Sequence, residues 1–428
     1  MTTSGRRLLQ WLVLLPLLFA TPAAGADEST IRVGILHSLT GTMAISESVL
    51  KDTVLMLIDD QNQKGGLLGR KLVPVVVDPA SDWDLFAEKA RDLLTKERVA
   101  VVFGCWTSAS RKAVLPAFEQ MNGLLYYPVQ SEGEESSRNI FYTGATPNQQ
   151  AIPAVRYLMS KEGGEVRRWV LLGTDYIYPR TTNRILEAYL ASEGVPQEDI
   201  MMIYTPFGYS DWRDIIQRIK AFGSKGKKTA VISTINGDAN TYFYKELAAQ
   251  KVEAGAIPVM AFSVGERELL GVDPKSLAGH LAAWNYFHSV KSPENEAFIK
   301  MWKSFTEGKD EITNDPMEAT FIGFRMWAQA VAQAGTTDVN AVRQAMYGQR
   351  VKAPSGFEEV MNTNHHLSKP VMIGRIDPAG KFDVIWQSIN PVRADAWSKY
   401  LPESAKRTAD WTFPWVCGGC IEPTFKDW

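Results

Sequence analysis

The chain has 428 residues, with 46 Lys and Arg against 48 Asp and Glu, and 45% of its residues are hydrophobic. This composition is typical of a folded globular protein with about two or three domains, and it excludes a disordered or collagen-like chain. The net charge of −2 also argues against a nucleic-acid-binding protein, which needs a basic face to neutralise phosphates.

The N-terminus has the pattern of a secretory signal peptide. Arg6-Arg7 comes before an apolar run from Leu8 to Ala20, and Ala24-Gly25-Ala26 supplies small residues for cleavage. The apolar run is too short for a transmembrane helix. The sequence therefore predicts a signal peptide at residues 1–26, export to the periplasm or another extracytoplasmic compartment, and no membrane span after its removal.

Three cysteines fit an oxidising compartment. Cys417 and Cys420 form a C-x-x-C in the predicted C-terminal tail, residues 401–428. The spacing predicts a small structural disulfide, and the alternatives are a metal or redox role or free thiols. Cys105 stands alone in an apolar segment and is expected to be a buried core residue. The sequence identifies no metal site and predicts no cofactor.

Short apolar runs alternate with amphipathic stretches in the first part of the mature chain. Such runs predict buried parallel strands, and the amphipathic stretches predict helices on both faces of the sheet. The predicted elements are strand Ile31–Leu36, helix Ser46–Asn62, strand Leu72–Asp78, helix Asp84–Lys96, strand Val99–Gly104, helix Ser110–Gln120 and strand Leu124–Tyr127.

The same alternation is used again from residue 151. Its predicted elements are helix Ala151–Lys161, strand Arg168–Gly173, helix Arg180–Glu193, strand Ile200–Tyr204, helix Trp212–Phe222, strand Thr229–Thr234, helix Ala239–Gln250 and strand Pro258–Ala261. The rest of the chain adds strand Ala282–Tyr286, helices Pro293–Thr306, Pro316–Ala334 and Val339–Met346, and a hairpin of strands Val371–Asp377 and Phe382–Ser388.

This order predicts an α/β protein with two doubly wound, parallel-sheet lobes. We assign residues 27–150 and about 282–350 to lobe 1, and residues 151–281 and about 351–400 to lobe 2. Several crossings between the lobes would form a hinge and leave a cleft. Ligands of open α/β sheets bind beyond the carboxyl ends of the strands, so these ends are the candidate site.

Polar and aromatic side chains follow five of the predicted strands. Any one of them is explained by a helix cap, but their recurrence at five strand ends predicts a polar pocket. The residues at these ends include Trp106, Thr107 and Ser108; Tyr126 and Tyr127; Asp175, Tyr176 and Tyr178; Asn236 and Asp238; and Ser263 and Glu266.

The sequence has no G-x-S-x-G, H-E-x-x-H, P-loop or G-x-G-x-x-G motif. A secreted amide hydrolase, with His37 as base and Ser38 or Ser108 as nucleophile, stays an alternative. A hydrolase of this kind also needs a residue that orients the base, and the sequence indicates none. We therefore predict a binding protein rather than an enzyme.

Several segments resemble the type I periplasmic binding proteins, the solute receptors of ABC importers. They are Ile31–Gly41, Gly65–Arg70, Gly104–Ser108 with Arg111–Pro116, and Leu124–Pro128 followed by Glu132-Gly133. Pro147-Asn148-Gln149 and Gly173–Arg180 are similar to the amide and urea branch of that family. The resemblance implies two lobes joined by a multi-strand hinge, and a receptor that binds urea in the cleft and delivers it to ABC permease subunits. A short-chain amide receptor is the first alternative, followed by a branched-chain amino-acid receptor.

The resemblance also indicates site residues. Ser108 matches a serine that holds a ligand carboxylate in amino-acid receptors, but Val129 stands where those receptors carry a threonine, which disfavours an α-amino acid. Trp106 replaces a tyrosine of the amide receptors and would make the pocket smaller. The positions that match other polar or aromatic pocket residues are Tyr127, Tyr176, Tyr178, Asn236, Asp238, Glu266 and Tyr286.

Urea is planar and uncharged, with N–H donors on both nitrogens and one carbonyl acceptor, so its receptor needs more acceptors than donors. We expect Ser108 to meet the carbonyl. The expected acceptors for the N–H groups are Asp175, Asp238, Asn236 and Glu266, and the expected stacking surfaces are Trp106, Tyr127 and Tyr178.

Overall fold

A computed structural model describes residues 1–2, 29–406, 411–412 and 416–417, without side chains in the last two pairs. Residues 3–26 of the predicted signal peptide lie outside the described residues. The predicted bridge also lies outside them, because neither the Cys417 side chain nor Cys420 is described. In the described part of the chain, no helix has both the length and the apolar character needed to cross a membrane.

The first part of the chain forms a five-stranded parallel sheet with the strand order β2-β1-β3-β4-β5. Its central strand β3 is wholly buried, as the apolar sequence predicts. The elements are β1 (Thr30–Leu36), α1 (Ala44–Gln63), β2 (Lys71–Val77), α2 (Trp83–Thr95), β3 (Val101–Gly104), α3 (Ser108–Gln120), β4 (Leu125–Tyr127) and β5 (Ile140–Tyr142).

The second part contributes to a seven-stranded sheet with the order β15-β14-β10-β9-β8-β6-β7. Strands β6 and β8 are buried along their whole length, because helices cover the sheet and apolar side chains fill both faces. The elements are α4 (Ala151–Met159), β6 (Arg168–Thr174), α5 (Ile177–Ser192), β7 (Ile200–Thr205), α6 (Arg213–Gly223), β8 (Thr229–Thr234), α7 (Ala239–Ala249), β9 (Val259–Ala261), α8 (Pro274–Leu277) and β10 (Leu281–Trp284).

The last part of the chain adds helices to the unit around the five-stranded sheet and strands to the seven-stranded sheet. Helices α9 (Pro293–Phe305), α10 (Asp315–Ala334) and α11 (Val339–Met346) pack into the core of the five-stranded sheet. A separate four-stranded antiparallel sheet holds β11, β12, β13 and β16, whereas the predicted hairpin of β14 and β15 is confirmed at the edge of the larger sheet. The bounds are β11 (Arg350–Lys352), β12 (Glu358–Met361), β13 (Leu367–Lys369), β14 (Met372–Ile376), β15 (Phe382–Gln387), β16 (Val392–Arg393), β17 (Trp411–Thr412) and β18 (Val416–Cys417).

The α/β fold with two parallel-sheet lobes is therefore as predicted. We call the unit around the five-stranded sheet lobe 1 and the unit around the seven-stranded sheet lobe 2. The chain passes between them after β5, after β10, after β13 and again after β15, because β16 pairs with β13. The residue ranges assigned to the lobes from the sequence stay a proposal. The sequence assigned the chain from about residue 282 to lobe 1, whereas in the structure β10 pairs with β9 and β14 of the seven-stranded sheet in lobe 2.

The first three crossings meet at the side chain of Asn285. Its Nδ2 donates to the carbonyl oxygens of Gln149, at 3.0 Å, and Pro370, at 2.6 Å. Asn285 itself follows β10, Gln149 precedes α4, and Pro370 precedes β14. One buried amide thus ties together three segments of the hinge.

Candidate functional site

The carboxyl ends of the strands in the two lobes face each other and touch. The Trp106 indole Nε1 of lobe 1 donates to Asn236 Oδ1 of lobe 2 at 3.2 Å. Beside this contact, Gln130 Nε2 donates to Ser263 Oγ at 2.7 Å, again across the lobes. All four residues are buried, so the structure is a closed form of the cleft.

Trp106 owes its position to a sharp turn between β3 and α3. Cys105 has φ +69°, in the left-handed region that non-glycine residues seldom occupy, and Thr107 caps the helix by accepting from the Ser110 N–H at 2.9 Å. The Trp106 carbonyl accepts from Tyr127 Oη at 2.5 Å, and this bond holds the two predicted stacking residues next to each other. Cys105 is fully buried, which confirms its predicted place in the core.

Ser108 belongs to a buried network of charges. Its hydroxyl donates to Glu132, and it accepts from Arg111 Nη1 at 3.2 Å. Arg111 also donates to Glu132 Oε1 and Glu135 Oε1, both at 2.9 Å, and Lys112 Nζ donates to Glu135 Oε2 at 2.7 Å. Two cations thus face two carboxylates, and none of the four side chains is more than 1% exposed.

The same network shows how burial and charge compete. Arg111 and Lys112 hold the pKa of Glu135 down at about 2 although burial alone would raise it. The Arg111 guanidinium also lies 4.7 Å from the centre of the Tyr127 ring. The lobe 1 wall of the cleft is therefore a fixed, electrically balanced surface.

The lobe 2 wall is aromatic, and it begins at the residues that follow β6. Tyr176 and Tyr178 are buried and pack with Ala109 of lobe 1, and the Tyr176 ring lies 4.9 Å from that of Phe207. Burial raises the pKa of Tyr178, whereas the side chains of Gln130 and Ser263 lower it. The structure thus brings Trp106, Ser108, Tyr127, Tyr176, Tyr178 and Asn236 to one closed cleft.

The Asp175 carboxylate is bound by an arginine of its own lobe. Arg180 binds its carboxylate with two hydrogen bonds, of 2.5 Å from Nε to Oδ1 and 3.0 Å from Nη2 to Oδ2. The Asp175 side chain is 37% exposed. Both oxygens that were expected to accept from urea are thus bound to an arginine five residues away.

Asp238 directly precedes α7, at the N-cap position, but its side chain does not cap the helix. Its Oδ1 is buried and has no hydrogen-bond partner in the described part of the chain. Burial raises the pKa of Asp238, while the Ala239 backbone N–H lowers it. Asp238 therefore keeps one carboxylate oxygen, Oδ1, that can accept a hydrogen bond, whereas both Asp175 oxygens are occupied by Arg180.

Glu266 and Tyr286 contact a different region, near the hinge. The Tyr286 hydroxyl is hydrogen-bonded to Asn295 Oδ1 and Thr313 Oγ1, both at 2.6 Å. Burial raises the pKa of Glu266 to about 7, the Glu268 charge adds to this effect, and a hydrogen bond with the Phe382 backbone lowers it. The contacts of these two residues do not join them to the Trp106 and Tyr178 walls.

The residues of the alternative hydrolase do not form a pair. His37 is fully buried with its Nδ1 3.3 Å from Glu47 Oε2, whereas the Ser108 hydroxyl has Glu132 and Arg111 as partners. Across the described residues, no three His, Cys, Asp or Glu side chains are grouped as a metal site would require.

Two cleft residues were not predicted as ligand contacts, Gln130 and Glu132. Both lie in the loop after β4, beyond Tyr126 and Tyr127, the strand-end residues that the sequence pattern indicated. A run of polar residues directly after an apolar strand, Gln130-Ser131-Glu132, was the signal that could have found them.

Comparison with known proteins gives one family and a common fold. The model of the periplasmic binding protein domain matches residues 31–403. A Geobacillus stearothermophilus protein named limonene hydroxylase is 33% identical over 120 residues, 28% of this chain and 22% of that protein. A Leu/Ile/Val-binding protein of Rhizobium johnstonii is 25% identical over 203 residues, 47% of this chain and 53% of that protein. The chain thus spans between about a fifth and a half of these relatives.

Among solved structures, a solute-binding protein of an ABC transporter from Rhodopseudomonas palustris HaA2, in complex with p-hydroxybenzoic acid, has a TM-score of 0.72. It is 21% identical, and the match covers 86% of this chain and 99% of that one. At this identity the likeness concerns the fold.

Proposed function

Since the chain belongs to the family of periplasmic binding protein domains, we propose that it is an extracytoplasmic receptor that binds urea in its cleft and delivers it to an ABC importer. Short-chain amides are the second ligand class. The proposed partners are the membrane subunits of an ABC permease, and the proposed role is nitrogen uptake. The ligand contacts are those of the closed cleft, with Asp238 as a further acceptor.

The balance of buried charge in lobe 1 is the observation that carries this proposal. Arg111 and Lys112 are bound by Glu132 and Glu135 at 2.7–2.9 Å, so neither cation is left to receive an anionic ligand. Separating a buried ion pair costs about 3–5 kcal/mol, because the remaining charge stays uncompensated. A carboxylate ligand would have to meet that cost, whereas a neutral ligand would not.

The neighbouring side chains favour a neutral ligand as well. Val129, at the position where amino-acid receptors carry a threonine, is buried and offers no hydroxyl. The polar groups at the contacts between the lobes are uncharged: the Gln130 amide, the Ser263 and Tyr178 hydroxyls and the Asn236 amide. Such groups suit an amide or a urea, which presents N–H and C=O at neutral charge.

A few hydrogen bonds are enough for a ligand of this size. Micromolar affinity corresponds to roughly 8 kcal/mol, and a hydrogen bond to a charged group contributes about 1.5–3 kcal/mol. Bonds to Asp238 and the Ser108–Glu132 pair, together with contact against Trp106 and Tyr127, reach that range.

Thermal unfolding with a panel of ligands tests the function, because only a ligand that binds the folded state raises the melting temperature. The panel is urea, thiourea, formamide, acetamide, leucine and p-hydroxybenzoate at millimolar concentration. We expect the largest rise with urea and smaller rises with the amides. Ser108→Ala should reduce the urea effect, whereas Ser48→Ala, in helix α1 with its hydroxyl on the Ala44 carbonyl, should leave it unchanged.

A melting temperature raised by leucine or p-hydroxybenzoate, and by neither urea nor an amide, would contradict the proposal. It would assign the cleft to amino acids or aromatic acids instead.

A further inference from the structure

Gln130 Oε1 and Tyr178 Oη are buried polar atoms of the closed cleft, and neither has a hydrogen-bond partner among the described residues. Gln130 is 2% exposed and Tyr178 is 3% exposed. A buried polar group without a partner costs about 1–3 kcal/mol, a cost that a ligand supplying the partner would remove.

The two atoms come from opposite lobes and lie near the same residue. Gln130 is held by the bond from its Nε2 to Ser263 Oγ at 2.7 Å, which leaves Oε1 as its remaining polar atom. The Tyr178 hydroxyl lies beside the side chains of both Gln130 and Ser263, which lower the pKa of this buried phenol. One atom is an acceptor and the other can donate.

We propose that Gln130 and Tyr178 together recognise the carboxamide edge of the ligand, with Gln130 Oε1 accepting an N–H and Tyr178 Oη donating to the C=O. This assignment rests on the proposed function and names the chemical class within it: a primary amide or urea. The two partners the pair lacks are the two groups that an H–N–C=O edge carries on adjacent atoms.

The same pair excludes carboxylates. A carboxylate has two acceptor oxygens and no hydrogen, so one oxygen would face Gln130 Oε1 without a proton between them. A site that leaves buried polar groups unpaired rejects the wrong ligand strongly. Acetamide and acetate have nearly the same size and differ in this one respect, so they report on the pair directly.

The first test uses Tyr178→Phe, which removes only the hydroxyl. The matched control is Tyr244→Phe, because Tyr244 Oη is also buried and without a partner in the described chain but lies in the lobe 2 core. Neither hydroxyl has a partner at hydrogen-bond distance in the described chain, so both variants should fold with a melting temperature close to that of the parent. By calorimetry we expect Tyr178→Phe to weaken urea binding about tenfold and Tyr244→Phe to leave it unchanged.

The second test separates ligand recognition by Gln130 from its contact across the lobes. Gln130→Met removes Oε1 and the bond to Ser263, whereas Ser263→Ala removes only the bond. We expect Gln130→Met to weaken acetamide binding about tenfold and to lower the ratio of acetamide to acetate affinity, and Ser263→Ala to preserve that ratio.

The assignment is overturned if Tyr178→Phe binds urea as tightly as the parent, or if Ser263→Ala reproduces the full effect of Gln130→Met. These outcomes differ from a failure of the proposed function, in which the parent protein itself binds neither urea nor acetamide.

Discussion

Trp106 makes hydrogen bonds to both lobes, one on each side of the cleft. Its carbonyl holds the Tyr127 hydroxyl within lobe 1, and its indole N–H reaches Asn236 in lobe 2. The side chain is 3% exposed and packs in the core of lobe 1 on its other face. An indole at this point limits the volume between the closing lobes.

Replacing Trp106 by Ala should weaken urea binding and relax size selection. Removing the ring takes away a contact surface and the bond to Asn236, but it leaves room for an additional methylene, which is worth about 1–3 kcal/mol in a tight pocket. The ratio of urea to propionamide affinity, measured by calorimetry, should therefore fall. An unchanged ratio in a folded variant would show that Trp106 is a core residue only.

At the scale of elements, the hinge contains a second group of buried charges, at the start of α10 and in the strands that follow. Lys369 Nζ lies 2.9 Å from Glu318 Oε2 and 3.5 Å from Glu359 Oε2, and all three side chains are fully buried. Asp315 is the fourth member, and its Oδ2 accepts from the Asn285 N–H at 2.8 Å. Three carboxyl groups thus share one cation.

This excess of carboxyl groups makes stability depend on pH. Burial, and then the Glu318 charge, raises the pKa of Asp315 to about 6 from its ordinary 3.8, although Lys369 opposes the rise. The folded state therefore keeps a proton that the unfolded chain has already lost between about pH 4 and pH 6. The contribution of the protonated Asp315 carboxyl to the free energy of unfolding is fully present below about pH 4 and is lost as the pH rises through 6.

Substituting Asp315→Asn should remove the part of this dependence that Asp315 contributes, whereas Glu359, whose pKa is also raised by burial and by the Glu318 charge, keeps its own part. Relative to the variant, the parent should lose up to roughly 3 kcal/mol of unfolding free energy between pH 4 and pH 7, since one pKa unit corresponds to about 1.4 kcal/mol. Guanidinium unfolding at several pH values measures the difference, with Glu296→Gln, an exposed carboxyl of α9, as the baseline. A parent–variant difference that stays constant over this range would refute the assignment.

Over the whole molecule, closure brings backbone against backbone. Gly237 has φ +70°, and a Cβ there would lie 2.8 Å from the Thr42 carbonyl oxygen of the opposite lobe. Gly208 has nearly the same φ, +68°, but a Cβ there would come no nearer than 3.7 Å, to Thr42 Cγ2. Both glycines suit a left-handed turn, but only Gly237 is also needed for the lobes to meet.

Alanine at these two positions separates backbone strain from closure. Each substitution should cost about 1 kcal/mol of stability because of the positive φ. Only Gly237→Ala should also weaken urea binding, by about tenfold, and leave a larger radius of gyration by small-angle X-ray scattering at saturating urea. Equal urea affinities in the two variants would contradict a closed form in which Gly237 touches Thr42.

The sequence by itself determined the two-lobe α/β fold and part of the site. Apolar runs such as those at residues 101–104 and 169–172 have no polar face, which predicts buried strands of a covered parallel sheet. Parallel strands place their carboxyl ends at one edge, which is why the pattern alone placed Trp106 and Tyr178 in the cleft.

Only the tertiary structure decided which polar side chains serve the cleft, because a side chain's partner depends on what folds against it. Asp175 is bound by Arg180, and Tyr286 is bound by Asn295 and Thr313, so the expected pocket residues have other partners. Gln130 meets Ser263 at a separation of 133 residues, a distance over which no local periodicity carries information. The balance of Arg111 and Lys112 against Glu132 and Glu135, which favours a neutral ligand, exists only once the β4–β5 loop packs on α3.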